Sequence, residues 1–171
     1  MHPYEFLQRY GPCALVTDAA SELGAAFAAL LAKGGFDLLL TTTEPGLLQA
    51  LAARLRDHEG VNVSIVTASL DLEEYIPALL DSCQQLDTGL LLDASAGAQL
   101  SRAMMPQLVA RDRGGCIFTQ SILGDDTLLA DAKTAGIDIV ALADSAADSN
   151  NQKVSAREIA QQAIDTICEH P

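Results

Sequence analysis

The sequence predicts an α/β fold of three layers, with a parallel sheet of six strands between helices on both faces. Short apolar runs alternate with longer segments of helical periodicity from one end of the chain to the other. The apolar runs are nearly continuous aliphatic sequence, as in VNVSIVT and IDIVAL. Strands of this kind are buried on both faces, and a helix between consecutive strands makes them parallel.

The first half of the chain predicts three strand–helix units. Gly34 and Gly35 end the first helix, because glycine readily takes the backbone conformation found just beyond a helix C-terminus. Leucines at helical spacing form one face of the second helix. Asp71 is placed to cap the third helix. The strands are predicted over residues 13–17, 36–41 and 61–67, and the helices over 21–33, 45–58 and 72–85.

The second half of the chain predicts three further units. A loop of small residues, DASAGA, follows the fourth strand, and Pro106 is placed to divide or kink the helix after it. Glycines at 114 and 115 lead into the fifth strand, and Gly136 ends the short helix before the sixth. The strands are predicted over residues 89–92, 116–122 and 137–142, and the helices over 100–111, 127–134 and 155–169.

The domain organisation predicted from composition is a single domain over residues 1–171. A chain of 171 residues that is 49% hydrophobic can bury a sizeable core, and the low aromatic content of 4% makes that core aliphatic. Residues 1–11 form an N-terminal extension before the first strand. The polar stretch at 144–153, DSAADSNNQK, is expected to be a mobile loop.

The charge of the chain excludes several classes of partner. A net charge of −13 argues against binding to nucleic acid or to an anionic membrane, since both require a basic patch. No apolar run reaches transmembrane length, and the start of the chain lacks the pattern of a signal peptide, so a cytoplasmic protein is expected. The four cysteines are far apart in or beside apolar segments, which predicts buried reduced thiols.

The segment at residues 14–24, ALVTDAASELG, reads as a buried strand that turns tightly into an amphipathic helix. This geometry binds a nucleotide pyrophosphate through backbone N–H groups and the positive end of the helix dipole. Asp18 and Glu22, however, stand where such a turn usually has glycine, and both add a side chain and a negative charge. The phosphate site is therefore predicted to have been lost.

Four segments in the same order resemble the short-chain dehydrogenase/reductase family. TDAASELG at 17–24 stands where the family has TGxxxGxG, and LLLDASA at 90–96 stands where it has a strand and NNAG. GGCIFTQSILG at 114–124 resembles the strand that ends in the catalytic serine, and residues 154–167 resemble a late helix. The opening FLQRYGPCALVT is most similar to bacterial members of the hydroxysteroid-dehydrogenase type, although the chain is shorter.

The resemblance implies a Rossmann-like sheet of order 3-2-1-4-5-6 and an NAD or NADP cofactor, but most cofactor positions differ. Thr17 and Gly24 match the phosphate turn, which also contains Leu23. Glu44 suits the ribose hydroxyls of NAD but not the 2′-phosphate of NADP. We therefore expect no cofactor. The positions that differ are Asp18 and Glu22 in the turn, Thr42, Thr43 and Glu44 after the second strand, Ser69 after the third, and Asp93 and Ala94 after the fourth.

The catalytic residues implied by the resemblance are also incomplete. Ser121 falls on the family serine, and Lys133 falls on the lysine of its Tyr-x-x-x-Lys pair. Leu129 then stands where the tyrosine belongs, and a leucine cannot transfer a proton. Ser121 and Lys133 are therefore interpreted as vestigial, because the tyrosines of this chain all precede the fourth strand.

Three functions remain open at this point. The leading one is a non-catalytic protein that acts through protein–protein contacts or self-association, as a regulatory or scaffold subunit. A stripe of apolar side chains would serve such contacts unless it packs on the sheet; it comprises Leu100, Met104, Met105 and Leu108. The second is an NAD(P)-dependent oxidoreductase. The third is a site for a divalent metal or small ligand at Asp18 and Asp93; nearby strand ends add Asp125, Asp126 and Asp144.

Overall fold

The sheet has six parallel strands in the order β3-β2-β1-β4-β5-β6, which confirms the predicted architecture. The structure is a computed structural model that describes residues 3–67, 72–93, 99–119, 126–142 and 155–169. The strands are β1 (Cys13–Val16), β2 (Asp37–Thr42), β3 (Val63–Thr67), β4 (Thr88–Asp93), β5 (Gly115–Thr119) and β6 (Asp138–Leu142). The helices are α1 (Pro3–Tyr10), α2 (Glu22–Lys33), α3 (Pro45–Glu59), α4 (Leu72–Gln85), α5 (Gln99–Ala110), α6 (Asp126–Thr134) and α7 (Ala156–Glu169).

Helices cover both faces of the sheet and form two hydrophobic clusters. Side chains of α1, α2, α3 and α7 pack on one face, and side chains of α4, α5 and α6 pack on the other. Alternation along each strand divides the core between the faces, since Leu38 and Leu40 join the first cluster and Leu39 the second. Continuous aliphatic strands are needed here because both faces of the sheet are buried.

The apolar stripe on α5 packs on the sheet. Leu100, Met104, Met105 and Leu108 are all buried within the second cluster. The stripe therefore takes the packed position that the sequence analysis left open beside a partner surface, and its side chains cover β4 and β5. Pro106 lies inside α5 without dividing it.

The N-terminal extension contains a helix that the sequence analysis did not assign. Phe6 and Tyr10 of α1 are buried, and the Tyr10 hydroxyl lies 2.7 Å from Oδ2 of Asp138 and 3.0 Å from the carbonyl oxygen of Ile167. A Cβ at Gly115 would come within 2.8 Å of the Tyr10 ring. The absence of a side chain at this position therefore allows α1 to lie across the amino edge of the sheet.

Three cysteines form part of the core, as expected for reduced thiols. Cys13, Cys83 and Cys116 are free and buried. Burial raises the pKa of Cys13 to about 11 and that of Cys83 to about 12, and it also raises the pKa of Cys116. These thiols are therefore protonated at neutral pH, and the thiolate that reacts with oxidants or metals is scarce.

Several predicted features fall outside the described residues. These are the mobile loop at 144–153, the end of the fifth strand at 120–122, and the side chains of Ser69, Asp71, Ala94, Ser121, Asp125, Asp126, Leu129, Asp144 and Cys168. Across the part of the chain that is described, every helix is too short or too polar to cross a bilayer.

Candidate functional site

The turn after β1 lies at the carboxyl edge of the sheet, where the strand order reverses between β1 and β4. The Thr17 N–H donates to the Leu92 carbonyl at 3.0 Å, and the Ala19 N–H donates to the Thr41 carbonyl at 2.9 Å. The turn is therefore held to the neighbouring strands on both sides. In parallel α/β sheets, ligands bind outside the carboxyl ends of the strands at such a reversal.

Asp18 gives the turn its shape although it is not glycine. Its φ is +46°, in the left-handed region, which aspartate tolerates better than most residues. Its carbonyl oxygen accepts from the N–H of Ser21 at 2.9 Å and from the Ser21 hydroxyl at 2.8 Å. The tight turn thus forms with an exposed carboxylate at position 18.

Gly24 allows α2 to begin directly against this turn. A Cβ at position 24 would lie 2.4 Å from the carbonyl oxygen of Asp18, so no other residue fits there. Ser21 caps the helix, and its hydroxyl oxygen accepts from the Gly24 N–H at 3.0 Å. The N–H groups of Glu22 and Leu23 lie in the first turn of α2, where no carbonyl of the helix is available to accept from them. They also lie at the positive end of the helix dipole.

Asp93 belongs to a buried hydrogen-bond network beside the turn. It is 1% exposed, and its two carboxyl oxygens accept from the Thr17 hydroxyl at 3.1 Å and the Ser101 hydroxyl at 2.7 Å. Thr17 and Ser101 are themselves buried. The network joins the turn after β1 to the end of β4 and to α5, which gives Asp93 a structural role.

The acidic residues of the described chain do not converge on a metal site. No three His, Cys, Asp or Glu side chains come together within the described residues. Asp18 is exposed at the turn, whereas both oxygens of Asp93 are engaged by hydroxyls inside the protein. The geometry therefore gives no support to a cation bound jointly by Asp18 and Asp93.

The end of β2 contributes polar groups at the same edge. The Thr42 hydroxyl accepts from the Glu44 N–H at 3.2 Å, which shapes the step from β2 into α3. Glu44 is exposed and occupies the N-cap position of α3, but its side chain makes no capping hydrogen bond. Its carboxylate is therefore oriented by neither the helix nor the core, and it is open to a ligand's hydroxyl groups.

Lys133 lies at the amino edge of the sheet, where the strands begin, and not at the carboxyl edge that contains the turn after β1. It is exposed in the last turn of α6 and lines a groove with Asp138, where β6 begins. The structure therefore does not bring Lys133 to the turn that contains Asp18.

Tyr75 lies at the carboxyl edge of the sheet, and the sequence analysis did not identify it as a candidate site residue. It is half-buried in the first turn of α4 and packs against the second cluster. Burial raises the pKa of Tyr75, a hydrogen bond with the Thr41 side chain opposes the shift, and the nearby Asp93 carboxylate adds to it. The position of α4 after β3 was a usable signal, because the first turn of such a helix lies at the carboxyl edge.

Comparison with solved structures identifies the same fold in known proteins. A short-chain dehydrogenase from Sphingobium yanoikuyae in complex with NADPH superimposes with a TM-score of 0.73 and 23% sequence identity. The alignment covers 92% of this chain and 84% of the dehydrogenase. For a short-chain dehydrogenase/reductase from Burkholderia phymatum in complex with NAD, the TM-score is 0.76 and the sequence identity 16%. The alignment covers 94% of this chain and 87% of the other. For a metagenomic short-chain oxidoreductase in complex with NADP, the TM-score is 0.75 and the sequence identity 17%. The alignment covers 93% of this chain and 92% of the other. No family model matches the sequence.

The expectation that no cofactor is bound is contradicted by these structures, which hold NADPH, NADP and NAD on the same fold. The expectation rested on residue types alone, chiefly those at positions 18 and 22 of the turn. It failed to consider that Asp18 itself takes the left-handed conformation, so the turn survives. Glu22 is exposed at the first position of α2, where its side chain is free to extend into solvent.

Proposed function

We propose that this chain, which has the fold of the short-chain dehydrogenases/reductases, binds a nicotinamide dinucleotide at the carboxyl edge of its sheet and prefers NAD to NADP. The observation that carries the proposal is the intact turn at residues 17–21, which leads into the capped N-terminus of α2. The dinucleotides in three structures of the same fold support it.

The N-terminus of α2 is the part of the site suited to the pyrophosphate. The amides of Glu22 and Leu23 would donate to phosphate oxygens there, and the dipole of α2 favours a negative group. Gly24 keeps the helix close to the turn, so these amides face the carboxyl edge. The carboxylates of Asp18 and Glu22 weaken binding, but both are exposed and therefore screened by solvent.

Glu44 is the residue suited to discriminate between NAD and NADP. Its exposed carboxylate would accept hydrogen bonds from the hydroxyls of the adenosine ribose, and it would repel a 2′-phosphate. No lysine or arginine occurs between Lys33 and Arg54, so this part of the chain has no cation to neutralise that phosphate.

Isothermal titration calorimetry with NAD, NADH, NADP and NADPH tests the proposal. We expect the NAD pair to bind at least about tenfold more tightly than the NADP pair, which corresponds to about 1.4 kcal/mol. Glu44→Arg should reverse that preference, whereas Glu59→Arg, an exposed change at the far end of α3, should not. If none of the four nucleotides binds at millimolar concentration, the proposal is wrong.

We propose binding of the dinucleotide without catalytic turnover as the function, because all three tyrosines of this chain precede β4, whereas the resemblance implies a catalytic tyrosine beyond β5. A second candidate is NAD-dependent oxidoreduction of a ketone–alcohol pair, which the dehydrogenase and oxidoreductase of the same fold favour; Tyr75 is the tyrosine described at the carboxyl edge. The bound dinucleotide would supply or accept hydride. The phenol of Tyr75 is protonated at neutral pH like that of any tyrosine, and although burial raises its pKa, it could pass its proton to a nascent alkoxide, which is a stronger base.

Reduction of a panel of ketones by NADH separates these two functions. If Tyr75 donates the proton, Tyr75→Phe should slow turnover by about 100-fold or more while leaving NAD affinity unchanged. Tyr10→Phe, at the amino edge of the sheet, is the matched control and should keep the wild-type rate. Absence of turnover in the wild-type protein, or equal rates for wild type and Tyr75→Phe, would eliminate the second candidate.

A further inference from the structure

A cavity of about 390 Å³ lies at the amino edge of the sheet, on the side opposite to the turn after β1. Leu7 of α1 and Pro12, which precedes β1, give the cavity apolar walls. The charged residues of its described lining are Asp37 at the start of β2 and Arg113 shortly before β5. Cavities of this volume are typical of sites for small molecules, and the dinucleotide site at the carboxyl edge does not include this one.

The Arg113 guanidinium is held beside the cavity without a close ion pair. Its Nη1 donates to the Gln8 carbonyl oxygen at 3.0 Å, which fixes the side chain against the last turn of α1. Its Nη2 lies 4.0 Å from Oδ2 of Asp87, and both side chains are about half exposed, so this pair contributes little. Arg113 therefore keeps the capacity to donate to a carboxylate in the cavity.

A second guanidinium, that of Arg111, lies behind the wall of the cavity. A Cβ at Gly11 would collide with Nη2 of Arg111, so this group lies directly against the Gly11 backbone. Nη1 of Arg111 pairs with Asp87, whereas Nε and Nη2 are buried and have no hydrogen-bond partner among the described residues. A ligand does not reach these buried atoms, but their charge favours an anionic group on this side of the cavity.

The Asp37 carboxylate gives the cavity a negative charge. Its Oδ1 accepts from the backbone N–H of Asn62 at 2.8 Å, and its Oδ2 accepts from the Asn62 side-chain amide at 3.0 Å. These partners are neutral, and no cation pairs with Asp37 among the described residues. Since a carboxylate accepts about four hydrogen bonds, Asp37 keeps the capacity to accept from an ammonium group.

We propose that this cavity binds a free α-amino acid with an aliphatic side chain. The carboxylate of the amino acid pairs with Arg113 and its ammonium group with Asp37, while its side chain contacts Leu7 and Pro12. A lone anion would be repelled by Asp37 and a lone cation by Arg113, so a zwitterion is the class of ligand that the charges fit.

The spacing of the strands agrees with this class of ligand. Two strands, β1 and β4, lie between β2 and β5, which separates the strands next to the two charged residues by about 14 Å. The side chains of Arg113 and Asp37 span much of this distance. The gap that remains suits the ammonium and carboxylate groups of one amino acid, which are attached to the same carbon atom.

Calorimetry with L-leucine and two analogues tests the proposal on the unmodified protein. 4-Methylpentanoate lacks the ammonium group of leucine, and 3-methylbutylamine lacks its carboxylate. We expect L-leucine to bind with a dissociation constant below about 1 mM and each analogue to bind at least about tenfold more weakly. Absence of leucine binding at about 10 mM, or equal affinity for either analogue, would overturn the proposal.

Two substitutions assign each charge of the ligand to its residue. In Arg113→Gln, L-leucine and 3-methylbutylamine should bind with equal affinity, because the partner of the carboxylate is gone. In Asp37→Asn, L-leucine and 4-methylpentanoate should bind equally for the corresponding reason. Arg157→Gln is the matched control, since Arg157 is exposed in the first turn of α7, and it should keep the wild-type preference for leucine.

The location of the bound amino acid is read from amide NMR shifts. L-leucine should shift the amides of Gly11 and Gly35, which line the cavity, and leave those of Glu22 and Leu23 at the carboxyl edge unchanged. Shifts confined to other residues, or a wild-type preference for leucine in both Arg113→Gln and Asp37→Asn, would contradict the assignment. Since no dinucleotide is present in these experiments, their outcome is independent of NAD binding.

Discussion

Replacing Asp18 by asparagine together with Glu22 by glutamine is expected to tighten NAD binding by about 10- to 100-fold. Two carboxylates about 5 Å from the phosphates would oppose binding by several kcal/mol at an effective dielectric near 20. Both side chains are exposed, so screening by water and salt reduces this to about 1–3 kcal/mol. Asparagine tolerates the left-handed φ of +46° at position 18, so the turn is preserved.

The matched control for this double variant removes two carboxylates elsewhere. Asp57→Asn with Glu59→Gln changes the net charge by the same amount at the far end of α3, where both side chains are exposed. We expect this control to alter NAD affinity less than about twofold, because the charges lie beyond the screening length. Equal effects of the two double variants would indicate that overall charge, rather than the turn after β1, governs binding.

Replacing Asp93 by alanine is expected to lower the free energy of unfolding by about 2–4 kcal/mol. The change removes an acceptor that two buried hydroxyls share, and each hydroxyl then loses a partner in a place that water does not reach. Thr17 is 3% exposed and Ser101 is fully buried, so neither hydroxyl finds water as a replacement. Urea denaturation followed by far-ultraviolet circular dichroism measures the loss.

Asp93→Asn is the control that keeps the shape of the side chain. An amide still offers an oxygen acceptor, and the hydroxyls can rotate to use its N–H₂ group, so we expect a loss of less than about 1 kcal/mol. A loss below about 1 kcal/mol for Asp93→Ala would contradict the structural role assigned to this network.

The sheet was predictable from the sequence because its strands are aliphatic on both faces. Runs such as GLLL at residues 89–92 are buried on both faces, and a helix between each pair of strands leaves few alternatives to a parallel order. The exact ends of strands were less predictable. The second strand was predicted over residues 36–41, whereas β2 begins at Asp37 and ends at Thr42.

Contacts between distant residues could not be predicted from local patterns. The docking of α1 depends on Tyr10 reaching Asp138, which lies 128 residues further along the chain. The partners of Asp93 likewise come from two other elements, so its sequence neighbourhood predicted only an exposed acid at a strand end. Asp18 was misjudged for a different reason, because residue type alone does not indicate which φ a residue adopts.

The most direct test of the account is a two-dimensional amide NMR titration of the ¹⁵N-labelled chain with NAD. Pyrophosphate binding at the N-terminus of α2 predicts that the largest shifts occur at the amides of Glu22, Leu23 and Gly24. Amides at the amino edge, such as that of Asp138, should remain unchanged. Saturating NAD that leaves the α2 amides unshifted, or that shifts only residues elsewhere, would contradict the proposed site.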